Sequence, residues 1–194
     1  MTGYGWLSHN PELSDEIAGI KVDREATKTR VEEYTFVKDL LDATPYTTAL
    51  DAATGYVVDW HMLPYILGAI GFTVETIDAD ARTLDMPADL QVHRQIANIG
   101  AIPFPDNSFD IITCISTLEH CHPAVRAEFS AEAARTINPG GLLIVTADNY
   151  PGISPKALAD LFKDDFDIGI DNGDEDRAFA DGKRVAYTVC RYKV

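Results

Sequence analysis

Short apolar runs alternate with segments of helical periodicity from about residue 48 onward. Thr48 to Ala52 reads as a short strand, and residues from about Asp59 to Ile70 as a helix stopped by Gly71. Thr73 to Asp78 alternates around Val74 and Ile77 and ends in an acid, and Val92 to Ala97 is a weaker strand. Phe109 to Ile115 is nearly all apolar (Ile111, Ile112, Cys114, Ile115), as expected for a strand buried on both faces. Pro123 to Ile137 reads as a helix, with Val125, Phe129, Ala133 and Ile137 four apart. Leu142 to Thr146 is another apolar strand, entered through Asn138-Pro139-Gly140-Gly141.

The two ends differ from this core. The first forty-odd residues read as helical. Asn10-Pro11 has the cap and first-position proline of a helix start, and Asp23 is a second candidate cap. Val31, Tyr34, Val37 and Leu41 then recur at three- and four-residue steps, giving one apolar face that ends before Pro45. At the other end, Phe166 to Ile170 and Val185 to Arg191 are strand candidates without a convincing helix between them, which predicts an antiparallel pair at the sheet edge. The expected architecture is an α/β, Rossmann-like, doubly wound and mostly parallel seven-stranded sheet with an antiparallel C-terminal hairpin strand. Residues 1–46 would form a helical lid and 47–194 one compact ligand-binding domain.

Composition narrows the function. The 194 residues carry 31 acidic against 16 basic side chains, a net charge of −15 that repels nucleic acid and anionic membranes. No run of eighteen apolar residues occurs, and the N-terminus has no basic segment followed by an apolar one, so neither a membrane span nor a secretory signal is expected. Three cysteines (Cys114, Cys121, Cys190) make no paired framework, which suits a reducing, cytoplasmic setting. The expected partner is a small molecule. The sequence leaves the oligomeric state open.

In an open parallel sheet, ligands bind beyond the carboxyl ends of the strands. Four stretches there stand out: Asp51-Ala52-Ala53-Thr54-Gly55, Ile77-Asp78, the run Ile102 to Asp110 leading on to Leu118-Glu119-His120, and Asn138-Pro139-Gly140-Gly141. Asp78, ending the second strand, is placed to accept hydrogen bonds from nucleotide ribose hydroxyls. The small residues after Asp51 let a ligand approach the backbone.

As an ordered set, these stretches resemble the class I S-adenosylmethionine (SAM)-dependent methyltransferases, in particular the small ones acting on diverse small molecules. The likeness spans about Thr48 to Thr146. It implies that Asp51, Ala53 and Gly55 lie under the methionine part of SAM and that Asp78 binds the ribose. Asn98 and Ile99 would flank the adenine, and Ser116 would contact the methionine end. In the family's first loop, Asp-x-Gly-x-Gly-x-Gly, the glycine positions here hold Ala53, Gly55 and Val57. Alanine suits close approach if its torsions are ordinary. Valine in a left-handed conformation is costly, so the turn must differ.

SAM carries an already activated methyl group, leaving the protein to supply geometry, water exclusion and, for hydroxyl or amine acceptors, a base. The candidate bases are His120 first, then Glu119, with His122 nearby. Cys121 between two histidines lacks the further ligands of a zinc site. Asp148-Asn149 resembles a magnesium-holding pair, but Ser116 stands where such enzymes place another acid, so no metal is expected. Tyr4, Trp6, Tyr34 and Phe36 either line an acceptor pocket or pack the lid onto the sheet. A nicotinamide-dependent dehydrogenase would need Gly-x-Gly-x-x-Gly, which is missing. The other alternative is a non-catalytic member that kept the fold and lost turnover.

Overall fold

The computed structural model describes residues 14–17, 20–23, 30–42, 44–55, 62–85, 92–148, 153, 155–169 and 185–193. The first described elements are β1 (Ser14–Ile17) and β2 (Ile20–Asp23), an antiparallel pair with Ile17 opposite Ile20. The helix expected there, and the cap at Asp23, are therefore corrected. The β-branched Ile20 and Val22 favour a pleated backbone, and Asp23 ends a strand. Asn10-Pro11 lies outside the described residues. Helix α1 (Arg30–Leu41) follows and buries the expected stripe of Val31, Tyr34, Val37 and Leu41.

The main sheet then forms from β3 (Thr48–Ala52), β4 (Thr73–Asp78), β5 (Val92–Ile96), β6 (Phe109–Cys114) and β7 (Ile137–Asp148), which run parallel in the order β5-β4-β3-β6-β7. The central strand β3 lies between β4 and β6, so strand order reverses there, a switch point at which open α/β sheets bind ligands. Helices α2 (Leu63–Ala69), α3 (Pro123–Thr136) and α4 (Pro155–Asp160) connect or flank the strands. Beyond β7, β9 (Val185–Tyr192) and β8 (Phe166–Gly169) extend the sheet, with β9 antiparallel to both neighbours. Residues 170–184, which join them, are outside the described set.

Strand alternation divides the core in two. Ala49, Val74, Ile111, Leu142 and Ile144 pack with α1 and α2. Leu50, Ile77, Ile112, Cys114, Leu143 and Val145 pack with α3, Leu158 and Phe162. Both faces of the central strands are thus apolar, which explains their continuous hydrophobic runs. Among the described residues, no helix is long and apolar enough to cross a membrane.

The amino end of the sheet is held by polar groups that are fully engaged. Asp110 Oδ2 accepts from the Thr47 and Thr48 backbone N–H groups at 2.9 and 3.1 Å and from Thr48 Oγ1 at 3.0 Å, while Oδ1 accepts from Asn138 Nδ2 at 2.8 Å. Burial raises the Asp110 carboxyl, but the hydrogen bonds from Thr47, Asn138 and Thr48 outweigh it and hold the group below the ordinary range.

The strand expected from Leu142 begins earlier, at Ile137, and carries Asn138-Pro139-Gly140-Gly141 as an irregularity. Phe109 pairs with Ile137, yet Ile111 pairs with Leu142. Gly140 has φ +79°. A Cβ on Gly141 would sit 2.6 Å from the Asp110 backbone oxygen and 2.8 Å from Ile137 Cγ1. One glycine supplies a left-handed torsion and the other a close approach.

Candidate functional site at the carboxyl rim

Ala52 lies opposite Ile77 in the parallel register, so Asp51 and Asp78 sit at the ends of adjacent strands. Asp51 is buried and accepts a hydrogen bond from Thr113 Oγ1 at 2.7 Å. Burial lifts its carboxyl from 3.8 to about 6. Hydrogen bonds from Thr113 and Thr54 restrain the rise, and the charge of Asp78 adds to it. Asp78 is less enclosed and organises the loop: Oδ2 accepts from the Gly55 N–H and Oδ1 from the Asp80 N–H, each at 2.8 Å. The Thr54 N–H closes the turn onto the Ile77 carbonyl at 3.1 Å.

The turn differs from the expected one at Ala53, which has φ +60°, followed by Gly55 at +77°. The condition of ordinary torsions at Ala53 is not met: an L-residue with a Cβ occupies the left-handed region, at a cost of about 1–2 kcal/mol. Val57 lies outside the described residues. Further along the rim, Asn98 is exposed and its Oδ1 accepts from the Gly100 N–H at 2.8 Å, forming a local turn. The next residue, Ile99, is buried. Two large apolar side chains that the sequence did not single out stay exposed near Asp78. They are Ile96, its register partner on β5, and Leu84 in the turn Ala81–Asp85.

Beyond β6, Ser116 is buried and has φ +44°. Its N–H donates to Thr146 at the backbone oxygen (3.1 Å) and at Oγ1 (3.0 Å), and its hydroxyl donates to Glu33 Oε1 at 2.7 Å. Thr146 Oγ1 donates to the same Glu33 oxygen at 2.5 Å, and Arg30 forms an ion pair with Glu33 Oε2. Glu33 is completely buried and comes from α1. Sequence reasoning missed it, because an acid beside the stripe Val31, Tyr34, Val37 reads as the solvent face of a helix. Tyr34 packs in the core next to it, and burial pushes its hydroxyl above the ordinary range. Phe36 packs on the same cluster, whereas Tyr4 and Trp6 lie outside the described residues.

The proposed bases occupy the turn Leu118–His120. Glu119 is buried beside Cys114 and Cys121; burial raises both thiols, and its charge adds to the effect. Its backbone oxygen accepts from Arg126 Nη2 at 3.1 Å. His120 is exposed at the rim. His122 plays a local structural part as the N-cap of α3, its Nδ1 accepting from the Ala124 N–H at 3.3 Å. The residues Asp51, Asp78, Ala53, Gly55 and Ser116 are therefore gathered on the ends of β3, β4 and β6, with Asn98 and Ile99 following β5. Among the described residues, no cluster of three or more histidine, cysteine, aspartate or glutamate side chains is arranged to hold a metal ion, and Asn149 lies outside them.

These features define a Rossmann-like α/β protein whose candidate site is the carboxyl rim around the strand-order switch. Residues 50–145 match the family model described as a methyltransferase domain. The 2-methyl-6-phytyl-1,4-hydroquinone methyltransferase of Synechocystis is 29% identical over 103 residues, covering 52% of this chain and 32% of that protein. The chain thus spans about a third of that relative's length. The PH0226 protein of Pyrococcus horikoshii OT3 superimposes with a TM-score of 0.68 at 15% identity, covering 89% of this chain and 94% of that one. A TehB-like SAM-dependent methyltransferase of Corynebacterium glutamicum gives 0.64 at 16% identity, covering 87% and 97%. Residues 50–145, just under half of the chain, therefore match a methyltransferase domain, and the solved structures of like fold include SAM-dependent methyltransferases.

Proposed function

We propose that this protein binds SAM along the carboxyl rim and moves its methyl group to a small-molecule acceptor. One arrangement carries the reading: a buried carboxylate and a loop-organising carboxylate on neighbouring strand ends, joined by a turn in which Ala53 and Gly55 both have positive φ. The residues fit the group. Asp51 is a buried acid suited to face a cation, and the Asp78 oxygens, each with one backbone N–H, retain lone pairs for ribose hydroxyls. Leu84 and Ile96 offer apolar surface for an adenine ring, beside Asn98 and Ile99. Ser116 stands at the methionine end.

When bound, SAM supplies an activated methyl group, so the chain provides alignment, exclusion of water and removal of a proton where the acceptor is a hydroxyl or amine. His120, exposed at the rim, is the proposed base; Glu119, enclosed beside two thiols, is the weaker one. The net charge of −15 favours a small acceptor over nucleic acid, and the unpaired cysteine usage favours a cytoplasmic setting. Calorimetry with SAM tests the reading. Asp78→Ala should weaken binding at least about tenfold, the loss expected for hydrogen bonds to a charged group. The absence of SAM binding by the unaltered protein would overturn it. Ala53, in a torsion that suits glycine, favours the alternative of a binding member without turnover. SAM binding with no methyl transfer to any acceptor in a broad panel would select that alternative.

A further inference from the structure

The Arg30–Glu33 pair places charge where packing does not require it. Glu33 is fully buried, yet it lies off the apolar stripe of α1 and is aimed at the ends of β6 and β7, where Ser116 and Thr146 both donate to its Oε1. Arg30, one turn earlier and 16% exposed, covers Oε2. Replacing a buried ion pair with apolar groups of similar size is often neutral or stabilising, so stability alone is a weak reason for placing one here. Tyr34 feels the charges of Arg30, Glu33 and Asp51 alike, and Ser116, at φ +44°, directs its hydroxyl to Glu33.

We propose that Arg30 and Glu33 are the specificity pair by which helix α1 reads the amino-acid end of the adenosyl ligand. This rests on the SAM-binding reading of the rim. An α-amino acid presents an ammonium and a carboxylate on one carbon. Glu33 would take the ammonium and Arg30 the carboxylate, so the two side chains exchange each other for the ligand's opposite charges. Both buried charges remain compensated before and after binding. The planar guanidinium suits two-point contact with a carboxylate. Within the chain the same pair fastens α1 to the sheet, and the ligand's zwitterion would replace that fastening.

The test compares two probes that share the adenosyl thioether: S-adenosylhomocysteine, which carries the amino-acid end, and 5′-methylthioadenosine, which lacks it. Affinities are measured by calorimetry for the unaltered protein, Glu33→Gln and Arg30→Gln. Each substitution should weaken S-adenosylhomocysteine about tenfold or more, as for a lost charge-assisted contact, and change 5′-methylthioadenosine less than about twofold. Equal losses for both probes would make the pair a structural fastening only, and no loss for either would remove it from the site; both results overturn the proposal. Glu33→Gln keeps the side-chain shape, and Arg30, partly exposed, provides a second variant if the first unfolds. Should the unaltered protein bind neither probe, the SAM-binding reading fails, and this proposal fails with it.

Discussion

Asp51→Asn is expected to stabilise the protein while removing the carboxylate proposed to face its ligand. Burial raises the folded Asp51 carboxyl from 3.8 to about 6. A difference of about two in pKa corresponds to about 3 kcal/mol between the protonated and ionised forms. The sign follows from proton uptake. Between about pH 4 and 6 the folded state holds the proton and the unfolded state has lost it, so stability falls as pH rises through that window. The penalty is absent near pH 4 and complete by pH 7. Asparagine keeps an oxygen to accept from Thr113 Oγ1 and avoids the buried charge. The substitution should therefore add about 2–3 kcal/mol at pH 7.5, worth roughly 5–10 °C in Tm for a protein of this size, and nothing near pH 4. Melting curves followed by circular dichroism from pH 4 to 8 give the answer. A Tm difference that does not change with pH, or a variant less stable at pH 7.5, would refute the argument. The same linkage predicts that SAM affinity weakens as pH falls below about 6, by up to about tenfold per pH unit, because a cation beside Asp51 requires the ionised form.

Two further substitutions probe the turns. Gly141→Ala must displace the Asp110 carbonyl or Ile137, since its Cβ would meet backbone oxygen at 2.6 Å. It should cost about 1–3 kcal/mol, read as a lower urea midpoint at unchanged slope, and an unshifted midpoint would contradict the close approach. Ala53→Gly should stabilise by a few tenths to about 1 kcal/mol, because relief of a left-handed alanine exceeds the entropy of an added glycine. A lower Tm would mean that Ala53 is not strained.

What the sequence revealed depended on how local the cause was. Ile111, Ile112 and Cys114, and the run from Leu142 to Thr146, read as buried strands because apolar residues on both faces leave a local mark. Asp78 was readable because its place, the end of a strand, is set by its own neighbours. Glu33 was not, since its burial comes from Ser116 and Thr146, 83 and 113 residues away. The strand entry at Ile137 was hidden for the same reason: the irregularity depends on the β6 backbone across from it, not on Asn138-Pro139. The pair β1–β2 was misread as helix because four-residue strands are too short to show a clear period of two.

The two ends of the sheet are energetically unlike, and the contrast supports the proposed site without reference to any relative. At the amino end, Asp110 is held in its charged form by hydrogen bonds from two other strands, and positive φ falls on Gly140 and on Asn107, two residue types that tolerate the left-handed region. At the carboxyl end, Ala53 and Ser116 hold positive φ despite carrying a Cβ, Asp51 is ionised against burial, and Glu33 is enclosed with its counter-ion. Strain and buried charge of this kind persist only where the surrounding fold over-determines them, and they gather at ligand sites. A ligand that brings positive charge to Asp51 lowers the energy of the bound rim relative to the free one, turning a standing cost of folding into affinity. A neutral ligand of the same shape would leave that cost in place. Under the proposed reading the rim would prefer a cationic adenosyl compound, and that preference should fade in Asp51→Asn even where the fold becomes more stable.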